Sequence, residues 1–227
     1  MRKTLSGQGL KIIAAAAMLT DHLAVVLSPC GLPSWAYLTM RGIGRISFPI
    51  YCFMLVTGFT YTRSVPKYLG RLAALAVLSE VPYDMANFGV FFYPAKNNVL
   101  FTFVLALAVV WAVSRLCQKG LAGYFYSASL IAAAMLVSFV LRLDYSWKCV
   151  LLASVLYLAR FETAVKYAAG SIILLINSTL IGLCAPAAFV PIHFYGGERG
   201  KTPALPFYIF YPAHMLALGA VRMYIIR

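Results

Sequence analysis

Long apolar runs recur along this chain and constrain its fold more than any other feature. A helix that crosses a bilayer needs about 20 consecutive, mostly apolar residues. Runs near that length lie at residues 10–28, 43–62, 68–82, 98–113, 121–141, 147–160, 164–184 and 205–226. The alternation of apolar and polar residues that marks a membrane barrel does not recur. We therefore predict an all-α fold, a polytopic transmembrane helical bundle of about eight helices, formed by residues 1–227 as a single domain.

The composition excludes a water-soluble globule. Hydrophobic residues make up 63% of the chain and charged residues only 11%, whereas about a quarter of a soluble domain is charged. The net charge of +13 would suit nucleic acid, but the apolar runs argue against that partner. The surplus of Lys and Arg instead predicts cytoplasmic loops or a site for phosphorylated ligands. With an even number of spans both termini share a side, and the distribution of basic residues places that side in the cytoplasm.

Asp21 and His22 stand side by side inside the first apolar run. Ionisable residues in a membrane are costly and usually face a bundle interior or a wet cavity. Adjacent residues on a helix point about 100° apart, so these two side chains do not pair with each other. We expect His22 to meet a partner from another helix, or a substrate, and to take or give a proton. The alternative is that both side chains only tie helices together.

Two further groups of charged residues flank the second and third runs. Arg41 and Arg45 are four residues apart, on one helix face, and Gly42 and Gly44 beside them allow close approach of a backbone or a ligand. Arginine suits bidentate contacts to carboxylate or phosphate, although arginines at a membrane edge often extend to the interface instead.

In "LSEVPYDMANF", Glu80 and Asp84 could lie on one side of a helix end that Pro82 bends or breaks. A buried carboxylate needs a cationic partner, and Arg45 is a candidate. The alternative is an ion pair at a helix end.

The remaining candidates come from four short segments. Asn97 precedes an apolar run and could bind substrate or cap the helix, whereas Asn177 falls within an apolar run and predicts a hydrogen bond between helices. His214, in "FYIFYPAHMLAL", is either interfacial scaffold or a second site histidine. A short basic segment contains Arg63, Lys67 and Arg71. P-loop, dinucleotide, zinc-protease and serine-hydrolase motifs are absent, and three scattered histidines predict no metal site.

In order along the chain, "KIIAAAAMLTDH", "RGIGRISFPIYCF", "TRSVPKYLGRL", "SEVPYD" and "FYPAH" resemble the TraX family. The resemblance covers nearly the whole chain and implies a bacterial multi-pass membrane acyltransferase, distantly similar to the acyltransferase-3 group. It implies acetyl-CoA as acyl donor, no metal, an inner (cytoplasmic) membrane location among lipids, and an envelope protein or glycan as acceptor.

The resemblance also maps roles onto residues of this chain. The histidine on which such enzymes rely corresponds to His22, the arginine-bearing segment to Arg41 and Arg45, and the C-terminal motif to His214. We expect Asp21 or Glu80 to orient a cation or the imidazole, and Arg45 to stabilise an oxyanion. Substrate contacts are expected from Arg41, Arg63, Lys67, Arg71, Asp84, Asn97 and His214.

Two other classes of function fit the same residues. A permease for a small anion could line its path with His22, Arg41 and Arg45, although no inverted repeat is visible in the sequence. A non-enzymatic assembly factor would use the polar side chains only to hold its helices together.

Overall fold

The expectation of an all-α fold is confirmed. A computed structural model describes residues 4–198, 200 and 205–224. Within these residues the chain forms helices joined by short turns, without a β-strand. The α-helices are α1 (Gly7–Leu27), α2 (Ser34–Gly44), α3 (Ser47–Tyr61), α4 (Val65–Phe88), α5 (Val99–Leu116), α6 (Gly120–Val140), α7 (Ser146–Leu158), α8 (Thr163–Leu175), α9 (Phe189–His193) and α10 (Leu205–Tyr224). Short 3-10 helices span Ser28–Cys30, Cys117–Lys119 and Leu180–Ala188.

The helices are long and apolar enough for a membrane protein. Three stretches meet the length and hydropathy of a spanning segment among the described residues: Gly7–Cys30, Ser34–Tyr61 and Val99–Val140. Shorter apolar helices span Ser146–Leu158, Thr163–Leu175 and Leu180–His193. Large apolar side chains also point outward, as on α6, where Leu121 is 88% and Phe125 70% exposed. Lipid tails solvate such a surface, whereas water does not.

Most predicted helices correspond to observed ones. The predicted segments 10–28, 98–113, 121–141, 147–160 and 205–226 overlap α1, α5, α6, α7 and α10, with shifts of a few residues at their ends. The predicted helix 43–62 is interrupted at residues 45 and 46. It corresponds to the end of α2, which begins at Ser34, and to α3, which begins at Ser47. The third predicted helix, 68–82, corresponds to α4. The prediction that Pro82 breaks this helix is wrong, because α4 continues through Pro82 to Phe88.

The prediction of one helix over residues 164–184 is wrong. Helix α8 ends at Leu175, and a 3-10 helix begins at Leu180. Between them Asn177 is exposed and takes a left-handed backbone conformation with φ of 48°. Asparagine tolerates this conformation, and the side chains of Asn, Ser and Thr compete for backbone hydrogen bonds. Asn177 therefore lies in a turn and not in the middle of a helix.

The described residues fall into two compact units, each built from separate stretches of chain. The first unit comprises Met1–Met54, Leu78–Tyr93 and Leu174–Arg227. The second unit comprises Leu55–Val77 and Pro94–Ile173. The single-domain expectation stays a prediction.

Within the first unit, α1 and α10 run in the same direction. The backbone N–H of Gly7, at the start of α1, donates to the carbonyl of Glu198 at 2.7 Å, shortly before α10. Further along, the Lys11 ammonium lies 5.2 Å from the centre of the Phe207 ring. Beyond that, His22 meets His214. Both helices therefore lead away from the same end of this unit.

Within the second unit, Asn98 and not Asn97 caps α5. The Asn98 side chain accepts a hydrogen bond from the Leu100 N–H at 2.9 Å and donates one to the Ala76 carbonyl at 2.9 Å. The expected capping role of Asn97 is therefore wrong. Its amide instead donates to the Leu141 carbonyl at 3.1 Å, which ties the segment before α5 to the end of α6.

Candidate functional site

Asp21 and His22 serve two different neighbours of α1. Their side chains diverge because successive residues on a helix are separated by about 100°. Asp21 faces α2 and His22 faces α10, as their hydrogen bonds demonstrate. The adjacent pair in the sequence is thus the meeting point of three helices within the first unit.

The Asp21 carboxylate is held by two guanidinium groups. Arg41 donates from Nη1 to Oδ2 at 2.6 Å, and Arg45 donates from Nη2 to Oδ1 at 2.6 Å and to Oδ2 at 2.7 Å. The side chain of Asp21 is 10% exposed, and those of Arg41 and Arg45 are 22% and 20% exposed. We call these three side chains, two guanidinium groups on one carboxylate, the Asp21 cluster.

Glycine at position 44 makes this approach possible. A Cβ atom at Gly44 would overlap the Cβ and Oδ1 atoms of Asp21, so any larger residue would push α2 away from α1. Arg45 follows directly, as the residue that caps the C-terminal end of α2. Of the two glycines predicted to allow close approach, Gly44 thus contacts a side chain of α1, whereas a Cβ atom at Gly42 would lie 3.1 Å from Cys184 Sγ.

The histidines come together although 192 residues separate them in the sequence. His22 Nδ1 lies 3.0 Å from His214 Nε2, and their ring centres are 5.2 Å apart with an angle of 23° between the rings. His22 is half-buried, whereas His214 is only 7% exposed. The contact places His214 against His22, and its expected role as a second site histidine stays a prediction.

The other edge of His214 is fixed by its own helix. The Nδ1 atom lies 2.6 Å from the carbonyl oxygen of Phe210, four residues earlier. The Phe210 ring stacks on the imidazole at 4.7 Å between centres, with an angle of 15°, and the Tyr211 ring meets it edge-on at 5.7 Å. Phe210 and Tyr211 were not predicted to lie beside this histidine pair. The spacing of four between Phe210 and His214 was the available signal.

Glu80 and Asp84 lie on α4 in the first unit. Asp84 is completely buried, and its Oδ2 accepts a hydrogen bond from the Tyr93 N–H at 2.8 Å. Its Oδ1 has no hydrogen-bond partner among the described residues. Asp84 therefore anchors the chain that follows α4. The expected roles of Glu80 in catalysis and Asp84 in substrate binding stay predictions.

The remaining predicted residues belong to the second unit. Arg63 lies between α3 and α4, Lys67 and Arg71 lie in the first turns of α4, and all three are exposed. Lys67 and Arg71 are four residues apart, which places them on one face of the helix. Asn97 lies before α5. Their expected contacts with substrate stay predictions.

The helices and their buried polar contacts define a helical membrane protein with an ionic cluster and a histidine pair in its first unit. The chain belongs to the TraX family, whose profile, described as TraX protein, matches residues 6–222. A relative from Dichelobacter nodosus, called probable fimbrial assembly protein FimC, serogroup H1, is 30% identical over 236 aligned positions, which cover 95% of each chain. No solved structure matches this chain.

Proposed function

We propose that this protein is an acetyltransferase of the bacterial inner membrane. It moves an acetyl group from acetyl-CoA to an amine or hydroxyl of an envelope acceptor, such as a pilin N-terminus or a cell-surface glycan. Membership of the TraX family supports this proposal, and the name of the relative favours an acceptor connected with fimbriae. The observation that carries it is the His22–His214 pair beside the Asp21 cluster.

The chemistry requires a base for the acceptor and a donor for the leaving group. The Nε2 atom of His22 makes no hydrogen bond among the described residues, so it can take the proton of the attacking amine or hydroxyl. The acceptor atom then bonds to the thioester carbonyl carbon. When the carbon–sulfur bond breaks, the same nitrogen returns the proton to the sulfur, and CoA leaves as a thiol.

The Asp21 cluster provides the positive charge that such a reaction uses. The carbonyl oxygen becomes negative as the acceptor bonds, and fixed donors nearby stabilise that charge. Arg41 and Arg45 lie in a cluster whose anchor, Asp21, precedes His22 in the chain, and both side chains are positively charged. We assign oxyanion stabilisation to Arg45, with Arg41 as a substrate contact.

Replacing His22 tests the proposal directly. In purified protein we expect His22→Ala to lower the rate of acetyl transfer by about 100-fold or more, because it removes the base, while binding of acetyl-CoA persists. His193→Gln is the matched control, since His193 is exposed on α9. The rate is measured with radiolabelled acetyl-CoA and envelope extract, and the acetylated product is identified by mass spectrometry.

Two results would contradict the enzyme assignment. The first is a His22→Ala variant that turns over as fast as the unaltered protein. The second is uptake of a small anion into protein-containing liposomes without any acyl donor, which would favour the permease.

We infer a membrane topology from the direction of α1 and α10. An N-terminus in the cytoplasm agrees with the distribution of basic residues. Because α1 and α10 run in the same direction, two crossings would bring both of their C-terminal ends to the outer side. We therefore propose that the C-terminus is external, which replaces our expectation of two cytoplasmic termini.

Reporter fusions test this topology. Alkaline phosphatase fused after the last residue should be active, and a fluorescent protein at the same position should remain dark, because each reporter folds on only one side. Fusions after Lys119, which the basic residues predict to be cytoplasmic, should give the opposite pattern and serve as control. A fluorescent C-terminal fusion would contradict the proposal.

A further inference from the structure

The hydrogen bonds of His214 determine which of its ring nitrogens carries the proton. A carbonyl oxygen only accepts, and the Phe210 carbonyl lies 2.6 Å from His214 Nδ1. His214 Nδ1 therefore carries a hydrogen and donates. A neutral imidazole has a single N–H, so the Nε2 atom of neutral His214 presents a lone pair.

The position of the proton on His214 also determines where neutral His22 carries its own. The lone pair of His214 Nε2 faces His22 Nδ1 at 3.0 Å, so His22 Nδ1 is the donor in this hydrogen bond. Neutral His22 then has its lone pair on Nε2. The Phe210 carbonyl thus determines the tautomer of both imidazole rings. It selects the tautomer of His22 that can act as a base at Nε2.

The surroundings of the two rings also differ in how strongly they favour a positive charge on the imidazole. His22 follows Asp21, which Arg41 and Arg45 contact, so an added proton on His22 is disfavoured by repulsion from these two guanidinium groups. His214 instead stacks on the face of the Phe210 ring at 4.7 Å. A cation over an aromatic face is attracted to it, and the Phe210 carbonyl still accepts from Nδ1. The second ring is therefore the better place for the charge.

We propose that His22 and His214 act together as one base, in which His214 is a positioning residue that selects the tautomer of His22 and takes over the positive charge. The inference rests on the proposed acetyl transfer. As the acceptor bonds to the thioester carbon, its proton moves to His22 Nε2, and the proton of His22 Nδ1 shifts to His214 Nε2. When the carbon–sulfur bond breaks, His22 Nε2 protonates the sulfur and the other proton returns to His22 Nδ1.

Nitrogen-15 NMR tests the resting arrangement independently of activity. The chain has three histidines, so a His193→Gln variant labelled at histidine nitrogens leaves only the signals of His22 and His214. We expect each of these two rings to have a protonated Nδ1 and an unprotonated Nε2, and a scalar coupling across the hydrogen bond to join His22 Nδ1 to His214 Nε2. A proton on His22 Nε2 in the neutral state, or no such coupling, would overturn the proposal.

Two substitutions of His214 test its part in the reaction. His214→Leu removes the acceptor and should lower kcat by about tenfold or more with little change in KM for acetyl-CoA. His214→Gln keeps an acceptor and an N–H donor in one side chain and should recover part of the rate. Equal kcat in His214→Leu and unaltered protein would overturn the proposal, as would a loss of acetyl-CoA binding that accounts for the whole effect.

The outcomes separate this inference from the proposed function. If His22→Ala abolishes transfer and His214→Leu does not slow it, the enzyme assignment stands and the two-histidine base is wrong. If His22→Ala leaves transfer unchanged, the proposed function itself is wrong. If His214→Leu fails to fold, which thermal unfolding in detergent would reveal, the nitrogen-15 spectrum of the His193→Gln protein decides.

Discussion

At the scale of single residues, the contacts of Asp21 with Arg41 and Arg45 explain why an aspartate occurs within an apolar helix. Removing one partner from a buried ionic group is costly because the remaining charges lose their compensation. Arg41 and Arg45 are each about four-fifths buried, so their charges are partly withdrawn from solvent. Asp21 therefore stabilises the contact between α1 and α2.

Asp21→Asn should lower the free energy of unfolding by about 3 kcal/mol, because two partly buried guanidinium groups would lose the carboxylate that they share. Thermal unfolding of the purified protein in detergent measures the change. Asp144→Asn is the matched control, since Asp144 pairs at 3.0 Å with Lys96, whose side chain is 45% exposed. Such an exposed pair contributes about 1 kcal/mol or less. Equal effects of the two substitutions would contradict a stabilising role of the Asp21 cluster.

At the scale of helices, the distance between α1 and α2 depends on a residue without a side chain. The predicted value of Gly42 and Gly44 for close approach is seen most clearly at Gly44, which leaves no room for a Cβ beside Asp21. Gly219 does the same where α10 meets α4, because a Cβ there would lie 2.6 Å from Met85 Cβ. Such close contacts are typical of helices packed in membranes.

Gly44→Ala should destabilise the protein by about 1–3 kcal/mol, because the added methyl group forces α2 away from Asp21. It should also lower acetyl transfer, since the guanidinium groups would move with α2. Gly70→Ala is the control: Gly70 lies in α4 with open space around its Cβ position, and alanine there should stabilise the helix by up to about 1 kcal/mol. Melting temperatures and transfer rates of both variants check this, and an unaffected Gly44→Ala protein would refute it.

At the scale of the whole molecule, the surplus of positive charge bears on the acyl donor. Acetyl-CoA carries several phosphate charges, and basic side chains attract them. Arg63, Lys67 and Arg71 are exposed in the second unit, and the positive-inside rule predicts that they face the cytoplasm, where acetyl-CoA is found. We therefore expect these three residues to bind the donor phosphates.

Charge reversal at Arg63 and Lys67 tests this expectation. The double variant Arg63→Glu, Lys67→Glu should raise KM for acetyl-CoA by about tenfold or more while leaving kcat nearly unchanged, because donor binding and not chemistry is weakened. Lys119→Glu, at an exposed lysine of a short 3-10 helix, is the control for charge alone. An unchanged KM in the double variant would remove these residues from the donor site.

The sequence patterns predicted the helices better than they predicted the contacts between residues. Helices α1, α5 and α6 were predicted within a few residues because each is a long, mostly apolar run. The break near Asn177 was missed because hydropathy is insensitive to backbone conformation. Capping was considered for Asn97, whereas Asn98 is the cap, since neighbouring residues of the same type cannot be told apart without the helix register.

The sequence by itself determined that this chain forms apolar helices and that Asp21, His22, Arg41 and Arg45 need partners, because burying charge or imidazole in hydrocarbon is costly wherever the helices pack. Only the tertiary structure decided who those partners are. The contact between His22 and His214 joins positions 192 residues apart. Both arginines contact Asp21 because α2 approaches α1 closely at Gly44. These contacts depend on how the helices pack against each other, which no local sequence pattern encodes.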